Sequence, residues 1–326
     1  MRIAVLGGGP AGLYFASLWK GRHPRDAVDL IEQSPAGATW GFGVVFSDRA
    51  LEFLRADDAA TVDLIAPRMQ AWRDITIYHR GAAVVIDGVG FSAIGRLELL
   101  QLLQQRAGAA GVACTFDKAV GSVDELAGFD LVVAADGVNS LVRRTFEGDF
   151  GYSLSYLTNK FIWYGTPQPF DTLSQTFVET DLGFFNAHHY RYAAGMSTFI
   201  VECDRATWLR AGFATATEEE TRRICERVFA GTLQGQPLVS NRSFWRNFPW
   251  IWCDRWWFRN MVLIGDALHT AHFSIGSGTR LALEDALALV KALEAEPGDL
   301  PAALARYEAE RRPIVEKLVA ASRRSA

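Results

Sequence analysis

The sequence predicts an α/β fold in which a parallel sheet is interleaved with a smaller α+β domain carrying a mostly antiparallel sheet. Three observations predict it. A short apolar strand at residues 2–6 runs into a glycine-rich turn and a helix; apolar strands recur after helical stretches; and from Lys160 the pattern changes to β-branched and aromatic runs separated by turns. A length of 326 residues exceeds one typical domain, so two are expected, with one continuous core in each.

The elements follow in order. Residues 2–6 form a buried strand, Pro10 to Lys20 a helix with apolar Leu13, Ala16 and Leu18, and Ala27 to Ile31 a second strand, giving a βαβ unit. After Gly95, Leu99, Leu102, Leu103 and Arg106 fall at helical spacing. Val112 to Phe116 and Asp130 to Ala135 then read as further strands of the parallel sheet. Phe161 to Tyr164, Gln175 to Glu179, Gly183 to Tyr192 and Ser197 to Glu202 read as antiparallel strands, with helices around 205–212 and 218–231 packed on them. Met261 to Ile264 returns to the first sheet, Leu283, Leu287, Val290 and Leu293 share a helical face, and a last helix follows Pro301. No repeat or low-complexity tether separates the domains. The expected division is 1–45, 96–150 and 255–326 against 46–95 and 151–254.

Composition excludes several classes. The 49% apolar share and a mean hydropathy near zero describe a globular chain rather than a disordered or fibrous one. The formal net charge is −4 and the basic residues are scattered, so no nucleic-acid partner is expected. Four cysteines without CxxC spacing argue against a zinc knuckle or disulfide framework and fit a reducing cytoplasm. The apolar run Ile3 to Leu6 is too short for a signal peptide or a membrane span, so a soluble cytoplasmic protein is expected.

Gly7-Gly8-Gly9-Pro10-Ala11-Gly12 satisfies GxGxxG between a strand and a helix, the Rossmann-like setting for a dinucleotide. The first glycine permits the tight turn, the second lets backbone approach a pyrophosphate, and the third lets helix and strand pack closely. The helix start offers unpaired N–H groups to the phosphates. Glu32 ends the second strand, 20 residues after Gly12, where a carboxylate accepts from a ribose hydroxyl and repels a 2′-phosphate; Gln33 is placed with it. These residues alone leave FAD, NAD and other adenosine cofactors open.

Two further motifs narrow the choice. Ala135-Asp136-Gly137-Val138-Asn139-Ser140-Leu141-Val142-Arg143 resembles the DG motif, and Gly265-Asp266-Ala267-Leu268-His269 with Gly276-Ser277-Gly278 resembles the GD motif, of the class A, single-component flavoprotein aromatic monooxygenases. Alone, Asp136 or Asp266 reads equally well as a turn former or helix cap; the joint pattern carries the assignment. The resemblance implies FAD, with NADH or NADPH as reductant and O2 as cosubstrate. It places Asp136 and Gly137 near the pyrophosphate, Asp266 at a ribitol hydroxyl, Gly276 and Gly278 at a helix start facing the flavin N1–C2=O region, and Arg96 at an FAD phosphate. Arg143 is expected to pair with a surface carboxylate.

Residues 271–280, Lys160-Phe-Ile-Trp-Tyr-Gly-Thr166 and Ser197-Thr-Phe-Ile-Val-Glu-Cys203 look like the salicylyl-CoA 5-hydroxylase and 2-aminobenzoyl-CoA monooxygenase branch. His272 and Phe273 stand where the wider family usually has prolines, and Arg280 where it has an asparagine; the acyl-CoA branch shares these changes. The sequence stops near Ala326, before the C-terminal segment its relatives add, so whatever that segment covers is expected to be open or differently built.

The resemblance implies that NAD(P)H reduces FAD, that O2 then gives a flavin C4a-hydroperoxide, and that its distal oxygen passes to a ring bearing an ortho or para amino or hydroxyl donor. A CoA thioester withdraws electrons, so position 5 of a salicylyl or 2-aminobenzoyl group, para to the donor, is the expected target. The substrate is thus a small aromatic molecule, free or CoA-linked. His188, Tyr190 and Tyr192 alternate on one strand and are expected to line the ring pocket, or else to be a satisfied histidine beside packed aromatics. His272 either polarises the substrate donor or is an ordinary loop histidine, and Arg280 either meets phosphate or carboxylate or forms a helix-start ion pair. His269-x-x-His272 lacks a third ligand, so no metal is expected. An indole or tryptophan hydroxylase of the same family, an FAD-dependent reductase that inserts no oxygen, and a nicotinamide-only dehydrogenase are the alternatives; the sequence fixes neither NADH against NADPH nor an oligomeric state.

Overall fold

Strand Arg2–Leu6 is the centre of a six-stranded sheet, because its apolar side chains must be covered on both faces, as a parallel sheet requires. The structure is a computed structural model and describes residues 1–325. The sheet order is Trp257–Phe258, Met261–Leu263, Leu131–Ala134, Arg2–Leu6, Ala27–Ile31, Ala113–Thr115. Every pairing is parallel except that of the two-residue edge strand Trp257–Phe258. Helix Pro10–Arg22 buries every residue from Ala11 to Trp19 and packs on helix Gly278–Ala295, which packs in turn on helix Leu300–Ser325. These elements belong to a first compact unit, Met1–Ala38, Leu99–Ser155 and Pro249–Ala326.

The second unit is Thr39–Glu98 with Tyr156–Phe248. A seven-stranded sheet, most of whose strands belong to this unit, runs Arg246–Cys253, Tyr152–Thr166, Met196–Cys203, Gly183–Ala193, Leu173–Thr180, Ile75–His79, Ala82–Ile86. The pairings are antiparallel from Tyr152–Thr166 to Leu173–Thr180, and that last strand pairs parallel with Ile75–His79. Alternation sends Ile162, Tyr164, Phe185, Ala187, Phe199 and Val201 to one face, where they form a core with Cys225 and Phe229 of the helical segment. Gln175, His188 and Ile200 are mutual cross-strand neighbours and point to the other face, with Trp163 opposite Ile200.

Mixed α/β architecture with one parallel and one mostly antiparallel sheet is therefore the fold. The segment before Gly95 contains elements without a clear sequence period: a three-stranded sheet of Gly43–Ser47, Phe91–Gly95 and Gln70–Trp72, and helices Asp48–Asp57 and Ala59–Ile65. Among the described residues no helix is long and apolar enough to cross a membrane.

Candidate active site

The glycine turn of the first unit is dictated by close approach. Gly7 has φ +100°, and a Cβ there would lie 2.3 Å from the Ala135 carbonyl oxygen; a Cβ on Gly12 would lie 2.0 Å from the Gly7 oxygen. A Cβ on Gly9 would meet nothing within 4 Å, so at this position the backbone is bare towards open space. Pro10 opens the helix, whose cap residue Gly9 supplies no side-chain bond and whose first turn has no acid. Other helices of the chain are closed differently: Ser47, Asp58, Asp204 and Thr217 each accept from a first-turn N–H. A long helix left uncapped presents orphan donors and a partial positive charge, the requirements of a phosphate site.

Glu32 Oε2 accepts from Gly8 N at 2.6 Å and its Oε1 from Ser34 N at 2.8 Å, which fixes the carboxylate beside the glycine turn with acceptor capacity to spare. Gln33 next to it is exposed. Asp136, just past strand Leu131–Ala134, accepts from Leu141 N at 2.7 Å through Oδ2, while its Oδ1 is buried without a partner. Burial pushes this carboxyl upward. An orphaned acceptor beside the glycine turn is the signature of a missing donor, such as a cofactor hydroxyl.

The GD segment is held from beneath. Asp285, fully buried in helix Gly278–Ala295, accepts from Gly265 N at 3.1 Å, His269 Nε2 at 2.8 Å and Arg311 Nε at 2.8 Å. Arg311 also pairs with Glu284 at 2.8 Å, and Glu284 with Arg280 at 2.6 Å. Arg280 is thus engaged with a carboxylate of its own helix. Gly265 adopts φ +59° and its α-carbon faces Ala11 and Ala282, while Asp266 beside it is exposed.

Arg143 overturns the expectation of a surface ion pair: it is 1% exposed. Its guanidinium donates to the carbonyl oxygens of Ala267, at 2.7 Å, and of Val138, and lies 4.7 Å from the Tyr152 ring centroid. It ties the DG segment to the GD segment.

His272 is buried against Phe273, accepts from Ser274 N at 3.3 Å through Nδ1, and donates its backbone N–H to Ser322 Oγ at 3.1 Å. It caps the short turn Phe273–Ile275, which Gly276 ends at φ +58°. Ser277 then precedes Gly278 without a side-chain cap, and no acid occupies the first turn of the helix that Gly278 opens. This is a second long helix with a bare start.

In the second unit, Arg96 Nε donates to Thr39 Oγ1 at 3.1 Å and its N–H to the Phe42 oxygen at 2.7 Å. The residues His188, Tyr190 and Tyr192 part company along their strand. Tyr190 donates to the Gly43 oxygen at 2.8 Å and packs with Val45, Trp72 and Ala93; Tyr192 lies against Gly43 and Gly95. His188 instead sits in a polar group: Asn186 Nδ2 at 3.2 Å, Gln175 Nε2 at 3.5 Å and Glu202 Oε2 at 3.7 Å, with Asn159 donating to Glu202 at 3.1 Å. Glu202 is nearly fully buried. Sequence reasoning missed Glu202 and Asp285, although each is an acid inside an apolar run, at Phe199-Ile-Val-Glu-Cys203 and Leu281-Ala-Leu-Glu-Asp-Ala286.

Residues 98–322 match the family model described as FAD binding domain. The chain belongs to that family. Its whole length is 42% identical to salicyloyl-CoA 5-hydroxylase from Streptomyces sp, of which it spans 64%. Over 97% of its length it is 39% identical to 3-hydroxy-4-methyl-anthranilyl-[aryl-carrier protein] 5-monooxygenase from Streptosporangium sibiricum, covering 85% of that protein. The fold matches 2-methyl-3-hydroxypyridine-5-carboxylic acid oxygenase with a TM-score of 0.83 at 20% identity, over 98% of this chain and 90% of the other. FAD is the cofactor of the family, and the residues present fit it: two bare helix starts, an open Gly9 backbone and the unpartnered Asp136 Oδ1. Among the described residues no group of three or more His, Cys, Asp or Glu side chains is arranged to hold a metal.

Proposed function

We propose that this monooxygenase hydroxylates an aromatic acyl group held as a thioester, of the salicylyl-CoA or 2-aminobenzoyl-CoA type, at the position para to an amino or hydroxyl donor. The observation that supports the reading is the likeness, along 100% and 97% of this chain and 64% and 85% of the relatives, to two enzymes whose names both describe oxygenation at position 5 of a ring attached to CoA or to a carrier protein. FAD, when bound and reduced by NAD(P)H, supplies the activation of dioxygen.

The chain's own residues do the rest. The starts of helices Pro10–Arg22 and Gly278–Ala295 are assigned to phosphate and to the electron-rich edge of the isoalloxazine. Glu32, Asp136 and Asp266 take hydroxyl donors, and Gly7, Ala11, Gly12 and Gly137 keep the backbone close enough for them to reach. His188 is assigned to the ring donor: a hydroxyl or amino group that becomes more acidic as the ring is oxygenated needs an acceptor, and the imidazole, held in a polar group with Asn186, Gln175 and Glu202, supplies one. Tyr190 and Tyr192 wall that sheet face rather than titrate, since burial pushes both phenols upward. His272 and Arg280 are assigned to the flavin and to an anionic part of the substrate, respectively.

The test is NAD(P)H consumption by the FAD-loaded protein under isotopically labelled dioxygen, with salicylyl-CoA, 2-aminobenzoyl-CoA, the two free acids and tryptophan. Labelled, ring-hydroxylated thioester is expected. Equal turnover of the free acids removes the thioester from the proposal, and substrate-stimulated turnover without label assigns the protein to the reductases.

A further inference from the structure

The sheet face that carries His188 continues past the polar group around it. In the next row Phe161 stands opposite Glu202 and Glu202 opposite Asn186, all on that face. Beyond Phe161, at the sheet edge, the Arg246 guanidinium lies 6.0 Å from the Phe161 ring centroid and 4.3 Å from that of Phe244. A second arginine, Arg242, lies 4.2 Å from the Trp40 ring centroid. All of these residues belong to the second unit.

Neither guanidinium has an acidic or hydrogen-bonding partner among the described residues; each meets only aromatic rings. Arg222 and Arg223 of the same unit, by contrast, each lie 2.7 Å from a glutamate. Desolvation lowers the Arg246 pKa, with no carboxylate to offset it. Trp40 and Phe244 are 46% and 59% accessible, so both rings keep open surface beside their cations. Arg242 is also fixed in place. Its φ of +52° is costly for a side chain with a Cβ, and its neighbours impose it. Asn241 Nδ2 donates to the Thr39 and Gly41 oxygens at 3.3 and 2.9 Å, and Ser243 N to Ser240 Oγ at 3.3 Å. Two unpaired planar cations beside two open rings suit a ligand that carries several phosphates and an aromatic base.

We infer that Arg242 and Arg246, with Trp40 and Phe244, hold the phosphorylated adenosine of the CoA thioester, an inference that rests on the thioester reading above. Reach supports it. Arg246–Cys253, Tyr152–Thr166, Met196–Cys203 and Gly183–Ala193 are consecutive strands, so Arg246 stands three strand spacings, about 14 Å, from His188. The pantetheine arm between sulfur and diphosphate has about as many main-chain bonds as four residues, a span of about 14 Å. The acyl ring can thus meet His188 while the diphosphate lies at Arg246. The base then stacks on an open ring, and the ribose phosphate pairs with Arg242. NADPH offers the same chemistry, and the experiment separates the two.

The FAD-loaded protein is assayed with salicylyl-CoA and with S-salicylyl-pantetheine, which lacks the nucleotide. KM should be at least ~10-fold lower for the CoA thioester, the range of a hydrogen bond to a charged group. In Arg246→Gln, and in Arg242→Asn, where asparagine tolerates the left-handed backbone, the two KM values should converge. Calorimetric titration with CoA alone reads the same clamp without turnover: binding is expected in the wild type and should be at least ~10-fold weaker in either variant. If neither thioester is turned over, the hydroxylation reading fails and the titration decides. CoA binding that both variants weaken then upholds the clamp, and no CoA binding overturns it. Turnover with equal KM for the two thioesters, or a KM gap that both variants keep, overturns the clamp and spares the hydroxylation reading. So does a rise in KM for NADPH in place of the CoA thioester, or loss of FAD with circular dichroism unchanged, since either gives these arginines to another nucleotide.

Discussion

Gly9 and Gly12 lie in one motif but answer to different constraints, and substitution separates them. Gly12→Ala puts a Cβ 2.0 Å from a backbone oxygen, so the fold itself must shift, and the urea midpoint should fall before any cofactor is added. Gly9→Val meets nothing in the protein. It should cost the flavin-free chain only about 1 kcal/mol, that of exchanging a favoured helix-cap residue for a β-branched one, while abolishing flavin retention. Equal losses of stability in both variants would count against a cofactor approach at Gly9. Asp136→Ala removes an acceptor that has no protein partner on Oδ1; FAD binding followed by fluorescence quenching should weaken by roughly 10- to 100-fold, the range of a hydrogen bond to a charged group. The glycines and Asp136 were legible in the sequence because their reasons are local: a strand end, a tight turn, a helix start. Arg143 was not, since its acceptor on Ala267 is 124 residues away and an arginine on a helix reads as surface.

At the scale of elements, the buried charges beneath the GD segment give a pH signature. Desolvation raises the Asp285 pKa, but His269 and Arg311 outweigh it and leave the carboxyl at about 2. The unfolded value is about 3.9, so the stabilisation is complete above that pH and is lost as pH falls through about 2. Asp285→Asn leaves Arg311 with Glu284 as its remaining carboxylate partner and should cost less than the ~3–5 kcal/mol of a wholly unpaired buried charge at neutral pH, with the gap to wild type closing in acid, as read by denaturant unfolding. His189 acts in a higher window. Burial, assisted by His188, pushes its imidazole down to about 3, so the unfolded chain takes up a proton first and stability declines below about 6.5. His189→Gln should flatten the acid limb between these values by up to ~1.4 kcal/mol per pH unit. The strands around His189 were readable from their alternation. The Ile75–Ile86 hairpin was not, because its outer strand is exposed on both faces and thus has no hydrophobic period to find.

For the whole molecule, FAD should act as a folding ligand. At a free concentration about 100 times Kd it adds ~2.7 kcal/mol to the stability of the state that binds it, and calorimetry should show the transition moving up with FAD concentration. A midpoint indifferent to FAD would contradict the assignment of the two bare helix starts. The parallel sheet and the change to antiparallel strands could be read from residue order, since each strand there is buried and each turn is marked. Where the substrate's ring is held could not, because Tyr190 and Tyr192 share parity with His188 yet are taken up by packing against Gly43 and Gly95.

Helix starts without caps do not discriminate among esters of phosphoric acid. Inorganic phosphate and pyrophosphate should therefore lodge weakly where the dinucleotide belongs, and reconstitution of the apoprotein should be slower in phosphate than in an uncharged buffer of the same ionic strength. Buffer choice during purification then becomes a determinant of how much holoenzyme is recovered.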